Sequence, residues 1–168
     1  MHAKVMVRAK LESVGESAEI EVEGQQVAVS RLDAYLWPSA GTQPAFTKRD
    51  LLLYFTAMSD HLLRHLRDRP LTLARYPGGI TGPHFVQRRL ASPPFVKTVP
   101  VYSETGKEDH EFVLCENLAT LLWLGQIADL ELHSWTSRWS DAQDGAALSM
   151  RTSGSLQAVE SSVLNYPD

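Results

Sequence analysis

The chain has 168 residues, of which 43% are hydrophobic and 21% are charged, and its formal net charge is −4 at pH 7. This composition is typical of one globular domain and excludes a collagen-like chain, a disordered chain and a disulfide-rich scaffold. Cys115 is the only cysteine, which excludes an intrachain disulfide and a multi-cysteine zinc site. The longest strongly apolar run, 118–124, is too short for a membrane span, and no signal peptide is evident. We therefore expect a cytoplasmic protein without a membrane partner.

The charges are distributed unevenly along the chain. Residues 1–46 carry a net charge of −2, residues 47–97 carry +6, and residues 98–168 carry −8. A basic middle third is compatible with an ordinary solvated surface, and equally with a surface that binds phosphate groups.

Alternating polar and apolar residues predict a strand over 4–11 and a hairpin formed by 19–23 and 26–29. A loop containing Gly41 and Pro44 then leads into the clearest helix start of the sequence.

This helix is predicted to begin at Thr47, which acts as its N-cap, with Asp50 completing a capping box. The helix ends before Pro70. Apolar residues recur at helical spacing and predict its buried face: Leu51, Tyr54, Phe55, Met58, Leu62 and Leu66.

The remaining elements are mostly strands. The pattern predicts strands at 71–75 and 84–88, a second hairpin formed by 95–102 and 110–115, a short buried helix capped by Asn117 and ending at Ile127, and a strand at 129–135. Together the elements predict an α+β fold of mainly antiparallel strands packed with one long amphipathic helix and one short buried helix. We assign residues 1–135 to the main folded unit and residues 136–168 to a C-terminal segment of low periodicity.

Lys48 and Arg49 lie in the first turn of the long helix, where the helix dipole disfavours positive charge. An anion held by the free backbone N–H groups, with Lys48 adding charge, would account for them. The alternative is two exposed side chains that contribute solubility.

Arg75, Arg88 and Arg89 flank a loop, 76–83, that contains three glycines. Glycines allow a backbone to approach a phosphate chain closely, and arginine forks match phosphate oxygens. The same loop is also compatible with ordinary turn chemistry.

The histidines give weaker signals. His61 and His65 are four residues apart and could chelate a metal, but exposed helix histidines are the simpler interpretation. His133, near the end of a predicted strand, is either a packing residue or a site residue. A hydrolase has no support, because no Gly-x-Ser-x-Gly motif is present.

Several segments carry a family resemblance. They are Leu32-Asp-Ala-Tyr-Leu-Trp-Pro38, Thr47-Lys-Arg-Asp50, Arg69-Pro-Leu-Thr-Leu-Ala-Arg-Tyr-Pro-Gly-Gly-Ile-Thr-Gly-Pro83, Asn117-Leu-Ala-Thr-Leu-Leu-Trp-Leu124 and Glu131-Leu-His-Ser-Trp135. In this order and spacing they resemble the N-terminal half of the polymerase domain of bacterial DNA ligase D, which belongs to the archaeo-eukaryotic primase superfamily and serves double-strand-break repair by end joining.

The resemblance implies a set of partners and site residues. The main partner would be a double-stranded DNA end with a 5′-phosphate, bound in the nucleoid, and Lys48 would be the phosphate ligand. Arg75, Phe85 and Arg88 would contact the DNA, with Arg89 extending the same basic surface, and His133 would lie near the incoming nucleotide. Further candidate partners are ligase and nuclease domains of the same parent protein and the Ku end-binding protein.

The chain also departs from the family pattern. Ala34 stands where the family usually has a second phosphate-binding lysine, and Val86 where it has an aromatic residue that stacks on the template. The Asp-x-Asp strand of the family's metal site would follow a segment like 165–168. We therefore expect a fragment that holds no cofactor and is inactive alone. Its parent would be a DNA-directed nucleotidyltransferase, linked to an ATP-dependent DNA ligase, that uses Mn or Mg and nucleoside triphosphates.

Two further interpretations stay open at this point. The chain could be a DNA-end-binding module without catalytic carboxylates, or an unrelated α+β interaction domain. Absence of DNA binding would favour the last.

Overall fold

A computed structural model describes residues 2–87, 91–103 and 108–143. All strand pairs within these residues are antiparallel. The predicted α+β class is therefore confirmed. The elements are α1 (His2–Ser13), β1 (Ala18–Val22), β2 (Gln25–Val29), β3 (Tyr35–Trp37), β4 (Phe46–Thr47), α2 (Lys48–Leu66), β5 (Pro70–Arg75), β6 (Phe85–Gln87), β7 (Lys97–Ser103), β8 (Glu108–Leu114), α3 (Leu118–Gln126), β9 (Asp129–Ser134) and α4 (Trp139–Gln143).

The five-stranded sheet is organised around β5. One side of β5 pairs with β9, and the other side pairs with β8 near Pro70 and with β6 near Arg75. β7 extends the sheet beyond β8. Residues Pro70 to Ala74 of β5 are all buried, as expected for a central strand. The two predicted hairpins are confirmed as β1–β2 and β7–β8.

The predicted strand over 4–11 is wrong, because this segment is helix α1. Val7 and Leu11, four residues apart, are buried, whereas Val5 is exposed. A strand would have placed these three side chains on one face, but a helix separates them. Arg8 and Glu12 form an i,i+4 salt bridge that fits only the helical period.

Helix α2 begins as predicted. The Thr47 side chain accepts a hydrogen bond from the Asp50 N–H, and Asp50 accepts one from the Thr47 N–H. Its buried face is broader than predicted, because α2 packs against both α1 and α3. Tyr54 is exposed, whereas the hydroxyl-bearing residues Thr56 and Ser59 are buried. Their hydroxyls donate to carbonyl oxygens of the same helix, which removes the cost of burial.

Helix α3 is the short buried helix predicted from the sequence. Asn117 caps it by accepting a hydrogen bond from the Thr120 N–H at 2.9 Å. All eight residues from Leu118 to Gly125 are buried. Gly125 lies so close to α2 that an added Cβ would be 2.7 Å from the Leu52 side chain. The main core therefore lies between these helices, the β1–β2 hairpin and the five-stranded sheet.

The boundary predicted after residue 135 stays a prediction. The first part of the C-terminal segment forms the short helix α4, whose Trp139 N–H donates to the Asp68 carbonyl at 2.7 Å. Ser140 also donates to the Asp68 carboxylate. Residues 144–168 lie outside the described part of the chain. None of the helices in the described ranges is long and apolar enough to cross a membrane.

Candidate functional site

Lys48, the first residue of α2, is a buried lysine. Only 7% of its surface is exposed, and its Nζ donates to the Ser30 carbonyl at 3.1 Å. Its pKa is lowered to about 8, first by burial and then by the nearby positive charges of Arg31 and Arg75. The interpretation of Lys48 as an exposed solubility residue is therefore wrong.

Arg31, Lys48 and Arg75 come together where β2 and β5 end and α2 begins, and we refer to them as the cation cluster. Arg75 donates from Nε to the Ile127 carbonyl at 3.0 Å, at the C-terminal end of α3. The side chain of Gln126 at the same end bonds both the backbone N–H and the hydroxyl of Ser30 at 2.9 Å. These bonds fix the positions of Ser30 and Arg75 relative to α3.

The prediction that backbone N–H groups of α2 hold an anion is wrong. The N–H groups of Lys48 and Arg49 donate to the carbonyls of Ala34 and Leu32, at 2.9 and 2.8 Å. Those of the capping-box residues are used within the box, as described above. The loop between β2 and β3 thus occupies this helix end, and an anion would have to be bound by side chains.

Arg49 has a structural role instead. Its guanidinium donates to the carbonyls of Leu11, Val14 and Gly15, and it forms a salt bridge with Asp33 at 2.9 Å. These bonds satisfy carbonyl groups that α1 leaves free at its C-terminus. Arg49 is therefore neither an exposed solubility residue nor a free phosphate ligand.

Phe85 lies beside Arg75, because the two residues pair across the β5–β6 ladder. Its side chain is exposed. An exposed phenylalanine next to an arginine can stack on a base while the arginine contacts the backbone. Arg88 and Arg89 lie outside the described residues.

Asp129 also pairs with Arg75, across the β5–β9 ladder, on the edge of β5 opposite to β6. It is completely buried, and neither carboxyl oxygen makes a hydrogen bond of normal geometry. Burial raises its pKa to about 8, against smaller opposing effects of the Ala74 amide and the Arg75 charge. Asp129 is therefore mainly protonated at neutral pH.

His133 is on β9, and its side chain is more than half exposed, so it is not a core packing residue. Its Nε2 lies 2.9 Å from a carboxylate oxygen of Glu131, and the Tyr76 hydroxyl donates to the other oxygen. Tyr76 also stacks on His84, with ring centroids 5.2 Å apart. Hydrogen bonding, first from Tyr76, lowers the pKa of Glu131. Glu131 is thus an ionised acceptor that orients the imidazole.

Sequence reasoning missed Arg31, Asp129, Glu131, Tyr76 and His84. The i,i+2 spacing of Glu131 and His133 on a predicted strand could have indicated a pair on one face. The other residues are brought to their neighbours by the tertiary fold, and no local pattern indicates them.

His61 and His65, whose spacing could chelate a metal but is more simply interpreted as two exposed helix histidines, are both exposed. Over residues 2–87, 91–103 and 108–143, no three His, Cys, Asp or Glu side chains are placed to hold a metal ion. The Cys115 thiol is buried, and burial raises its pKa to about 12, so it is not a reactive thiolate.

Parts of known proteins are similar to this chain in sequence and fold. The "Multifunctional non-homologous end joining DNA repair protein LigD" of Mycobacterium tuberculosis is 31% identical over 111 residues, which are 65% of this chain and 14% of that protein. The "Bifunctional non-homologous end joining protein LigD" of Bacillus subtilis is 37% identical over 89 residues, 52% of this chain and 14% of that protein. The chain thus spans about a seventh of the length of these relatives.

A solved structure agrees with these sequence matches. The polymerase domain from Mycobacterium tuberculosis ligase D, in complex with DNA, aligns with a TM-score of 0.61 and 30% identity over 68% of this chain and 38% of that chain. The family described as "LigD, primase-polymerase domain" matches residues 47–150, which is more than half of the sequence. This chain therefore belongs to the LigD primase-polymerase domain family.

Proposed function

We propose that this chain binds DNA ends that carry a 5′-phosphate, as part of a LigD-type primase-polymerase that acts in double-strand-break repair by end joining. The observation that carries the proposal is the cation cluster, in which a buried lysine ammonium lies near two arginines. The similarity to a polymerase domain solved in complex with DNA supports DNA as the partner.

The chemistry of the cluster suits a terminal phosphate. Within the described residues, Lys48 has no carboxylate within salt-bridge distance, and its single hydrogen bond is to the neutral Ser30 carbonyl. Burial and like charges both destabilise the ammonium, so a bound anion would stabilise it strongly. A terminal phosphate has close to two negative charges and three free oxygens, whereas an internal diester has one charge.

Arg75 and Phe85 extend the proposed interface along the sheet. Their cross-strand pairing places a cation and an exposed ring side by side. In this arrangement Arg75 would contact the phosphodiester backbone near the end, and Phe85 would contact a base or sugar. We retain Arg88 and Arg89 as proposed DNA contacts because they follow β6 directly.

His133 is the proposed contact to the incoming nucleotide. Glu131 holds Nε2, which leaves Nδ1 without a partner among the described residues. We further propose that the parent protein is longer and is located in the nucleoid. It would carry ligase and nuclease domains, use metal ions and nucleoside triphosphates, and associate with Ku.

The proposal is tested by fluorescence anisotropy with two recessed duplexes that differ only in a 5′-phosphate or a 5′-hydroxyl at the recessed strand. A charge-assisted contact is worth about 1.5 to 3 kcal/mol, so we expect a preference of about tenfold to a hundredfold for the phosphate. The logarithm of the binding constant should fall with the logarithm of salt concentration, with a slope of roughly 0.9 per phosphate contact.

Lys48→Met is the matched variant, because it keeps the buried stem and removes the charge. It should remove most of the preference, whereas Lys10→Met, at an exposed lysine of α1, should not. Binding without any preference would show that Lys48 is not a phosphate ligand. If neither duplex is bound, the chain is better explained as an interaction domain.

A further inference from the structure

The backbone of Arg31 is held in an unusual conformation. Its φ is +54°, in the left-handed region, which costs a residue with a side chain about 1 to 2 kcal/mol. The surrounding chain fixes it there, since Ser30 is bonded to Gln126, the Leu32 N–H donates to the Glu16 carbonyl, and the Ala34 N–H donates to the Arg31 carbonyl. Arg31 therefore occupies a position that is set by the fold, at the end of β2.

This position brings the charge of Arg31 close to Lys48. The carbonyl that receives the Lys48 ammonium belongs to Ser30, the residue directly before Arg31. The positive charges of the two side chains repel each other, and this repulsion contributes to the lowered pKa of Lys48. In the described part of the chain, the Arg31 side chain makes no hydrogen bond or salt bridge and is exposed.

Two neighbouring cations without an acidic partner destabilise each other unless an anion lies between them. The backbone N–H groups at the start of α2 cannot bind that anion, since the capping box and the Leu32 and Ala34 carbonyls occupy them. An anion at this helix end is therefore left to side chains, and Arg31 offers five N–H donors in a fork that matches phosphate oxygens.

We infer that Arg31 is a second ligand of the 5′-phosphate and that, together with Lys48, it distinguishes a terminal phosphate from an internal diester. This inference rests on the proposed binding of 5′-phosphorylated ends. A terminal phosphate has enough free oxygens to accept from the Lys48 ammonium and from the Arg31 fork together. Arg31 thus adds to the selectivity that Lys48 provides, whereas Arg75 and Phe85 contribute to affinity for either kind of end.

The test compares Arg31→Ala with Arg64→Ala in the two-duplex binding experiment. Both variants remove one exposed arginine, but Arg64 is on α2 away from its N-terminus, so it controls for the general loss of charge. We expect Arg31→Ala to reduce the ratio of the two affinities by about threefold to tenfold. Its affinity for the 5′-hydroxyl duplex should match that of Arg64→Ala.

Arg31→Lys should retain part of the selectivity, because it keeps the charge and loses the fork. An unchanged ratio in Arg31→Ala, or an equal loss in Arg64→Ala, would overturn the inference. If the original chain prefers the phosphate and only Lys48→Met removes that preference, the proposed function stands and this inference fails. If the original chain has no preference, the proposed phosphate binding itself fails.

Discussion

Arg75 and Asp129 are paired across the β5–β9 ladder, so a cationic residue of the proposed DNA interface lies beside a completely buried carboxyl group. Because the pKa of Asp129 is raised to about 8, this carboxyl group is mainly neutral at pH 7. The proposed interface therefore keeps the positive charge of Arg75 without a fully ionised carboxylate at its side.

The raised pKa of Asp129 predicts how stability depends on pH. The unfolded chain loses this proton near pH 4 and the folded chain near pH 8, so rising pH favours the unfolded state between these values. Asp129→Asn should remove this dependence. Between pH 5 and pH 8, the free energy of unfolding of the variant should rise by at least about 1.4 kcal/mol relative to that of the original chain, which is the equivalent of one pKa unit.

Urea denaturation at pH 5, 6.5 and 8 measures this difference. Asp141→Asn, at an exposed position of α4, is the control and should give parallel curves. A constant difference between Asp129→Asn and the original chain across this range would show that Asp129 is ionised in the folded state.

The lowered pKa of Lys48 predicts that the phosphate preference depends on pH. With a pKa of about 8, the ammonium is mostly charged at pH 7 and about one tenth charged at pH 9. The phosphate stays dianionic over this interval, since its second pKa is about 6. The preference for a 5′-phosphate should therefore fall by about tenfold from pH 7 to pH 9.

Lys48→Arg provides the comparison for this profile, because arginine stays charged up to pH 9. The ratio of the variant's affinities for the 5′-phosphate and 5′-hydroxyl duplexes should stay constant over the same interval, whatever its absolute affinity. A ratio that is constant or rising with pH in the original chain would be incompatible with Lys48 as a phosphate ligand.

Substitution of Arg49 should affect stability and not phosphate preference, in contrast to substitution of Lys48, although the two residues are consecutive. Its guanidinium satisfies carbonyl groups of the α1 end, so Arg49→Met should destabilise the fold by about 1.5 to 3 kcal/mol. The preference for a 5′-phosphate should be unchanged well below the melting temperature. Arg64→Met should change stability by no more than about 0.5 kcal/mol.

Thermal denaturation and duplex binding by the same variants separate the two roles. If Arg49→Met keeps its stability and loses the preference, the roles of Lys48 and Arg49 have been assigned the wrong way round.

Local chemistry determined much of the fold, and it could therefore be predicted. The capping box of Thr47 and Asp50 defines the start of α2 within four residues, and turn chemistry defines the hairpin at Gly24. Segment 4–11 shows the limit of this reasoning, because its apolar residues fit both a strand and a helix period. Burial against α2 decides in favour of the helix.

The site could be predicted only in part, because its geometry depends on distant contacts. Lys48 was found from its place in a capped helix, but its burial depends on the Ser30 carbonyl, and Ser30 is held by Gln126, 96 residues away. The assumption of free N–H groups failed for the same reason, since carbonyls of Leu32 and Ala34 reach the helix end only through the fold. No local sequence pattern indicates that Arg31 is a site residue.

The most direct test of phosphate binding by Lys48 is a crystal structure of the chain bound to a recessed duplex with a 5′-phosphate. Phosphate binding by Lys48 predicts a terminal phosphate oxygen about 3 Å from Lys48 Nζ, with the Arg31 guanidinium on a second oxygen. It is contradicted if the terminal phosphate is bound elsewhere on the chain and Lys48 Nζ contacts only the Ser30 carbonyl.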